Sequence, residues 1–384
     1  MDSCDILIVG GGPAGSSCAW ALRGSGLDVL IVDRARFPRD KLCGGWITPQ
    51  VVEELELDIL DYGQRNIIQI ITGFKTGAIG QKEIELDCGR VVSFGIRRCE
   101  FDDYLLRRCG ARLREGYPIQ SIERDRDGWI INREIRARML VGAGGHFCPV
   151  AKHLGGDSDP QAVVAREVEF EMTPGEVASC RVRGEFPELY FCRDLIGYGW
   201  LFRKGNFLNI GLGRLDPHRL PEHLGEFARL MERAGKFMLE YPRKYSGHAY
   251  HLFGRSERRI VDDAVLLIGD SAGLAYPQSG EGIRPAVESG LMAAEIIETA
   301  AGDYSRTHLD RYACMLLERF SGGSGSTTDL AQRLPVPLRN YVGRQLLKTK
   351  LFCRKVTNDW FLHASDQPLR VTRKEVALAN PPAA

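Results

Sequence analysis

DILIVGGGPAGSSCAWALRGSGLDVLIVD, residues 5–33, is the stretch that decides the fold. Ile6-Leu7-Ile8-Val9 is a short apolar run, suited to a strand buried on both faces. Gly10, Gly12 and Gly15 follow as G-x-G-x-x-G. Pro13 fits the first turn of a helix, where its missing N–H costs little. Ala14 to Leu22 is small and apolar, as a helix lying close on a sheet should be. Leu27 to Val32 reads as a second buried strand, ending on Asp33. In this pattern Gly10 makes a tight turn, Gly12 lets backbone approach a pyrophosphate, and Gly15 lets helix and strand come together. The helix N-terminus, at Pro13 and Ala14, faces the phosphates, and Asp33 can bind ribose hydroxyls. The glycine pattern alone is a weak signal. With strand, helix, second strand and terminal acid in place, it reads as a dinucleotide-binding unit.

The chain has 384 residues, enough for two intertwined domains and a large core. A net charge of +1 gives no argument for nucleic acid as a partner. Eleven cysteines are scattered with no C-x-x-C pair, so neither zinc nor an iron–sulfur cluster has its usual spacing, and no metal site is expected. Such a set fits reduced thiols in a cytoplasmic protein. The sequence opens directly on the first strand without a signal peptide, and it carries no apolar run long enough to span a bilayer. It sets no oligomeric state.

Working outward, residues 34–46 (RARFPRDKLCGGW) form a basic, glycine-bearing loop. Arg34 directly follows the terminal acid. Cys43 before Gly44-Gly45 is either a thiol held near a cofactor's reacting ring or an incidental cysteine at a turn; both readings stand on this stretch alone. Thr48 to Leu60 suits a helix, and Ile67 to Phe94 alternates like two or three antiparallel strands. Ile96 to Cys109 is helical, with Arg98 placed to meet a phosphate or ribityl group, or simply solvated. A meander over residues 112–141 ends in a buried strand and a second glycine-rich turn, Gly142-Ala143-Gly144-Gly145. Residues 163–215 are β-rich. Tyr198, Trp200 and Phe202 alternate and share one strand face, as core or as the wall of an apolar pocket. Leu220 to Leu239 is an amphipathic helix. A third buried strand, 264–268, places Asp270 at the carboxyl edge of the sheet, where ligands bind. A loop over 277–282 leads into a small-residue helix from Ile283 to Thr299. From Pro335 onward, Arg339, Arg344, Lys348, Lys350, Arg354 and Lys355 surround Leu346, Leu347, Leu351 and Phe352. That tail is an ordinary surface helix or one resting on anionic lipid.

Gly10 to Asp33, Arg98 with Phe101-Asp102, Gly142 to Gly145, and Gly269 to Ile283 together resemble the flavoprotein monooxygenase superfamily with the p-hydroxybenzoate hydroxylase fold. Within it, the sequence is similar to the geranylgeranyl reductase family. Lys41-Leu42-Cys43-Gly44-Gly45 resembles that family's K-P-C-G loop, whose cysteine sits by the flavin. Tyr198, Trp200 and Phe202, then Gly211 and Gly213, resemble its aromatic-x-Trp-x-Phe-Pro and G-x-G pattern. Pro277 to Gly282 resembles its P-x-[TS]-G-E-G loop. Arg203 stands where the pattern has proline, Gly144 where the superfamily has aspartate, and Leu42 where the loop has proline.

The resemblance implies an α/β fold (α+β overall). A Rossmann-like FAD-binding domain (1–66, 96–160, 255–310) is interleaved with an antiparallel β-sheet substrate domain (67–95, 161–254), and a helical C-terminal region follows (311–384). It implies that Gly10, Gly12, Pro13, Ala14, Gly15, Asp33, Arg34, Cys43, Gly44, Gly45, Arg98, Gly144, Asp270, Gly280, Gly282 and Ile283 hold FAD. Cys43 would be catalytic, and Tyr198, Trp200, Phe202 and Arg203 would meet an apolar or lipid substrate. The implied activity is reduction of carbon–carbon double bonds, with NAD(P)H or another donor as external reductant and peripheral membrane contact in view. A monooxygenase acting on an aromatic substrate and an electron-transfer or redox-sensing flavoprotein are the alternatives.

Overall fold

The computed structural model describes residues 1–155, 162–255, 258–321 and 335–369. Its first sheet is ordered Val261–Asp262, Val265–Leu267, Ile135–Gly142, Asp2–Val9, Val29–Asp33, Arg112–Glu115. From Val265–Leu267 to Arg112–Glu115 the pairing is parallel. The apolar runs read from the sequence are its central strands, covered on both faces. Trp129–Ile131 and Ile122–Arg124 branch off antiparallel along the first half of Ile135–Gly142.

Two helices of small residues, Pro13–Ala21 and Ile283–Thr299, pack on this sheet and on each other. Their contact needs a missing side chain: a Cβ at Gly290 would fall 2.4 Å from the Ala14 carbonyl oxygen. The ends of both helices are thereby brought to the carboxyl edge of the sheet.

The second sheet is ordered Ser246–Tyr250, Val163–Glu171, Phe207–Arg214, Gly197–Lys204, Glu188–Phe191, Gly73–Ala78, Ile84–Asp87. It is antiparallel except where Glu188–Phe191 pairs with Gly73–Ala78. The helix Leu220–Arg233 buries Leu220, Leu224, Phe227 and Met231 against one face. The other face carries Phe74, Trp200 and Phe202, covered by Leu347, Cys353, Val356 and Phe361 of the C-terminal helices. A small third sheet joins Trp46–Ile47, Ser93–Ile96 and Ile68–Ile71.

The structure changes several local expectations. The helix expected over Thr48–Leu60 is two helices, Pro49–Glu54 and Ile59–Gly63. Glu56 turns the chain at φ 49°, and the Asp58 carboxylate caps the second helix by accepting from the Leu60 and Asp61 N–H groups. Residues 67–94 give four strands, not two or three: the outer pair enters the small sheet and the inner pair extends the second sheet. The amphipathic helix stops at Arg233, short of Leu239. The end of the tail, residues 370–384, lies outside the described residues.

Candidate active site: a cleft at the edge of the parallel sheet

Two glycine turns meet where Asp2–Val9 and Ile135–Gly142 end side by side. Gly10 has φ 119°, and a Cβ there would lie 2.3 Å from the Ala143 carbonyl oxygen. Only glycine fits this approach. A Cβ at Gly15 would lie 2.0 Å from the Gly10 carbonyl oxygen, so Gly15 closes helix onto strand behind the turn. Gly12 differs. A Cβ there would meet nothing nearer than Arg39 Nη2 at 3.4 Å, which leaves the backbone open to a ligand. No side chain caps the helix that starts at Pro13. Its first N–H groups are thus available to an anion.

These turns form the floor of a cleft of about 620 Å³, in the range of small-molecule sites. Of the residues expected to hold a cofactor, Gly10, Gly12, Pro13, Ala14, Asp33, Arg34, Cys43, Arg98, Gly144, Asp270, Gly280, Gly282 and Ile283 line it. Asp33 Oδ2 accepts from the Gly11 N–H and Oδ1 from the Ala35 N–H, both at 2.8 Å, so the carboxylate also ties the two rims together. Asp270 follows Gly269, whose φ of 60° turns the chain. A Cβ at Gly282 would stand 3.1 Å from Asp270 Oδ1, so glycine keeps the helix start beside that carboxylate. Gly280, at φ 69°, leaves room for Tyr250, whose hydroxyl would be 2.3 Å from a Cβ there.

Arg98 is not a solvated charge. Its guanidinium is buried and donates to both oxygens of Asp102, at 2.7 and 2.9 Å. Arg39 Nη2 lies 3.2 Å from the same carboxylate. The Cys43 thiol sits close by. Burial pushes its pKa up, opposed by the neighbouring Arg98 charge. The Gly45 N–H donates to Cys43 Sγ at 3.4 Å, and Asn209 Nδ2 donates to the Cys43 carbonyl at 3.1 Å. Gly44 and Gly45 do not line the cleft. They lie underneath, Gly44 against Phe202 and Gly45 against the Ile96 carbonyl.

Tyr198, Trp200 and Phe202 share a face, as their alternation requires, but they do not line the cleft. Trp200 and Phe202 pack in a closed cluster with Trp46 and the C-terminal helices. Tyr198 alone reaches the 277–282 loop, where its hydroxyl donates to the Ser279 carbonyl. Val356 and Phe361 belong to the same cluster as Trp200 and Phe202, with Tyr198 packed against it. Arg203 lies apart from the cleft lining. One residue past Phe202, it points to the opposite face, and its Nε donates to the Gly205 carbonyl in the hairpin turn.

Residues that the sequence reading passed over complete the site. His146, His248 and Tyr250 line the cleft. Burial lowers His146 to about 4 and His248 to about 3, so both imidazoles are neutral at neutral pH. Asn209 and Glu167 lie just beneath. Glu167 carried a signal: in Val163–Glu171 it occupies the buried phase set by Val163 and Ala165.

The polar groups in the cleft fit FAD: N–H donors of a helix N-terminus and open glycine backbone for a pyrophosphate, and two carboxylates to accept from the ribose and ribityl hydroxyls. Comparison with known proteins finds the same Rossmann-like fold. Residues 8–71 match the family model of an NAD(P)-binding Rossmann-like domain. The menaquinone reductase of Mycobacterium tuberculosis strain H37Rv is 29% identical over 360 residues, 88% of this chain and 85% of that protein. The digeranylgeranylglycerophospholipid reductase of Methanocaldococcus jannaschii is 27% identical over 327 residues, 81% of each chain. A geranylgeranyl bacteriochlorophyll reductase-like protein from Thermoplasma acidophilum superposes with a TM-score of 0.75 at 20% identity, over 94% of this chain and 97% of that one. Halogenase PltM in complex with phloroglucinol and FAD superposes at 0.67 and 18% identity, over 83% and 74%. The fold and the cleft define a Rossmann-like dinucleotide-binding domain whose lining suits FAD. The chain is similar in sequence to a digeranylgeranylglycerophospholipid reductase and in fold to a geranylgeranyl bacteriochlorophyll reductase-like protein.

Proposed function

We propose that this protein reduces carbon–carbon double bonds in a prenyl or similarly apolar chain, using FAD recharged by NAD(P)H or another donor. The observation that carries this reading is the Cys43 loop. It sets a protonated thiol at the cleft, between the buried Arg98–Asp102 pair and a sheet face of aromatic rings and glycines. Bound FAD supplies the hydride. The chain's own residues hold and orient it: the helix start at Pro13 and Ala14 takes the pyrophosphate, and Asp33 and Asp270 take hydroxyl groups. Gly12, Gly280 and Gly282 let backbone lie close to the cofactor. His146 and His248 line the cleft as neutral imidazoles. Tyr198, through Ser279, holds the loop that precedes the helix at Ile283.

The test is anaerobic incubation of the purified, FAD-loaded chain with dithionite and a geranylgeranyl lipid, followed by mass spectrometry. Gain of two hydrogen atoms per saturated bond is expected. Substrate-stimulated oxygen uptake with a hydroxylated product would replace this reading with the monooxygenase one.

The same proposal extends to where an apolar substrate is met. No described helix is long and apolar enough to cross a membrane. The helices Val336–Leu346 and Lys350–Val356 nevertheless expose Leu338, Tyr341, Val342, Leu346 and Leu351. Six cations stand among them, and residues 335–358 contain no Asp or Glu. Exposed apolar side chains ringed by cations suit the surface of an anionic bilayer. Co-sedimentation with phosphatidylglycerol vesicles but not with phosphatidylcholine vesicles is expected, and Leu351→Glu should weaken it. Equal binding to both vesicle types, or to neither, would remove the membrane from the reading.

A further inference from the structure

Trp200, Asn209 and Cys43 are joined by two hydrogen bonds in series, which begin in the aromatic cluster and end in the cleft. Asn209 stands opposite Phe202 and Gly211 opposite Trp200, so Trp200 and Asn209 are diagonal neighbours on one sheet face. Because Gly211 has no side chain, the indole lies across it: a Cβ there would fall 2.2 Å from Trp200 Cζ2. The indole Nε1–H donates to Asn209 Oδ1 at 2.7 Å, and Asn209 Nδ2 donates to the Cys43 carbonyl at 3.1 Å. Trp200 and Asn209 are buried, whereas Cys43 lines the cleft.

The direction of this series has a chemical reason. An indole N–H only donates, and a peptide carbonyl only accepts. A primary amide between them satisfies both in one orientation, oxygen toward Trp200 and nitrogen toward Cys43. Flipped, it would set N–H against N–H and oxygen against oxygen. Trp200 therefore fixes the amide, and the amide fixes the carbonyl. Burying an amide is costly unless it is bonded, and here both of its ends are. The far side of the loop is held separately. The Ile96 N–H donates to the Gly45 carbonyl at 2.8 Å, and Lys204 Nζ donates to the Ile96 carbonyl at 2.9 Å. The Gly45 N–H in turn donates to Cys43 Sγ at 3.4 Å. Cys43 is thus held from the sheet face through its carbonyl and from the strand Ser93–Ile96 through Gly45.

We propose that Trp200 and Asn209 are positioning residues for the reaction at this cleft: together they hold the Cys43 thiol in place, and neither meets the substrate. The inference rests on the reductive reading above for what Cys43 does there, while the anchor itself rests on the contacts. It separates two roles for Trp200. A ring that walls a substrate pocket acts on KM, whereas a ring that acts through Asn209 on the thiol's position acts on kcat. Trp200 does not line the cleft, which favours the second.

The test uses the full chain loaded with FAD, without substrate. Alkylation by iodoacetamide at one pH is followed cysteine by cysteine with peptide mass spectrometry. In Asn209→Leu and in Trp200→Phe the Cys43 rate should rise about two- to tenfold, the ratio that one hydrogen bond contributes. Buried Cys18 and Cys109 should stay protected, and exposed Cys88 and Cys314 should keep their rates. The double variant should react no faster than Asn209→Leu alone, because Trp200 acts only through the amide. An unchanged Cys43 rate overturns the proposal, as does a rise shared equally by Cys18 and Cys109, or a double variant whose rise is the product of the two single ones. If Asn209→Leu does not fold, Trp200→Phe decides by the same readout. In turnover with dithionite and a geranylgeranyl lipid, both variants should lower kcat at unchanged KM. A raised KM at unchanged kcat overturns the anchor in favour of a substrate wall. A wild type that leaves the lipid unreduced removes the reductive reading, and the alkylation rates still decide the anchor.

Discussion

Replacing Asp102 by alanine should test how the cleft's charge is held. Asp102 is fully buried, and its carboxylate accepts two hydrogen bonds from Arg98 while lying 3.2 Å from Arg39. Arg98 has a side chain only 10% exposed, whereas Arg39, 20% exposed, can turn outward. Most of the loss therefore comes from one stranded guanidinium, and breaking a buried pair in this way costs about 3–5 kcal/mol. For 384 residues the unfolding entropy is roughly 0.8 kcal/mol per kelvin, so Tm should fall by about 4–6 °C. Scanning calorimetry of wild type and Asp102→Ala at equal FAD saturation measures it. The double variant Arg98→Met with Asp102→Leu removes both charges at similar volume and should recover most of the loss. A single variant within about 1 °C of wild type would refute the reasoning. So would a double variant as unstable as the single, since the loss would then lie in packing and not in charge.

Asp33→Ala should weaken FAD by about 1–3 kcal/mol, about five- to 150-fold in Kd by fluorescence titration, because a polar ligand group and the two rim N–H groups lose their acceptor. Gly290→Ala should destabilise by about 1–3 kcal/mol in urea melts and also loosen FAD, since its Cβ would lie 2.4 Å from the Ala14 carbonyl and push the two cofactor-facing helices apart. Glu167→Gln should change the pH dependence of stability. The folded carboxyl, at about 8, stands above its ordinary 4.5, so the wild type is fully stable below the lower value and loses stability as pH rises toward the higher. The variant's advantage should grow by about 1.4 kcal/mol per pH unit across that window in denaturant melts, and a pH-independent difference would contradict the buried acid.

The sequence by itself determined the parts whose chemistry is local. The strand, glycine turn, helix, strand and acid of residues 5–33 fold as read, and Gly15 meets only the Gly10 carbonyl of the same turn and Ile8 of the strand before it. Asp270 lies at the sheet edge because an apolar run, Ala264 to Ile268, leads directly into Gly269. The shared face of Tyr198, Trp200 and Phe202 follows from a period of two, and that period also places Arg203 on the other side. Tertiary structure alone decided what those faces meet. The C-terminal helices close over Trp200 and Phe202, though they are more than a hundred residues away in the chain. Strand order and register put Glu167 opposite Gly211 and Asn209 beneath Cys43, and no local spacing sets either. The physical reason is that side-chain direction along a strand is set by the backbone of that strand. Which strand lies beside it, and at which residue, is set by burying the whole sheet at once.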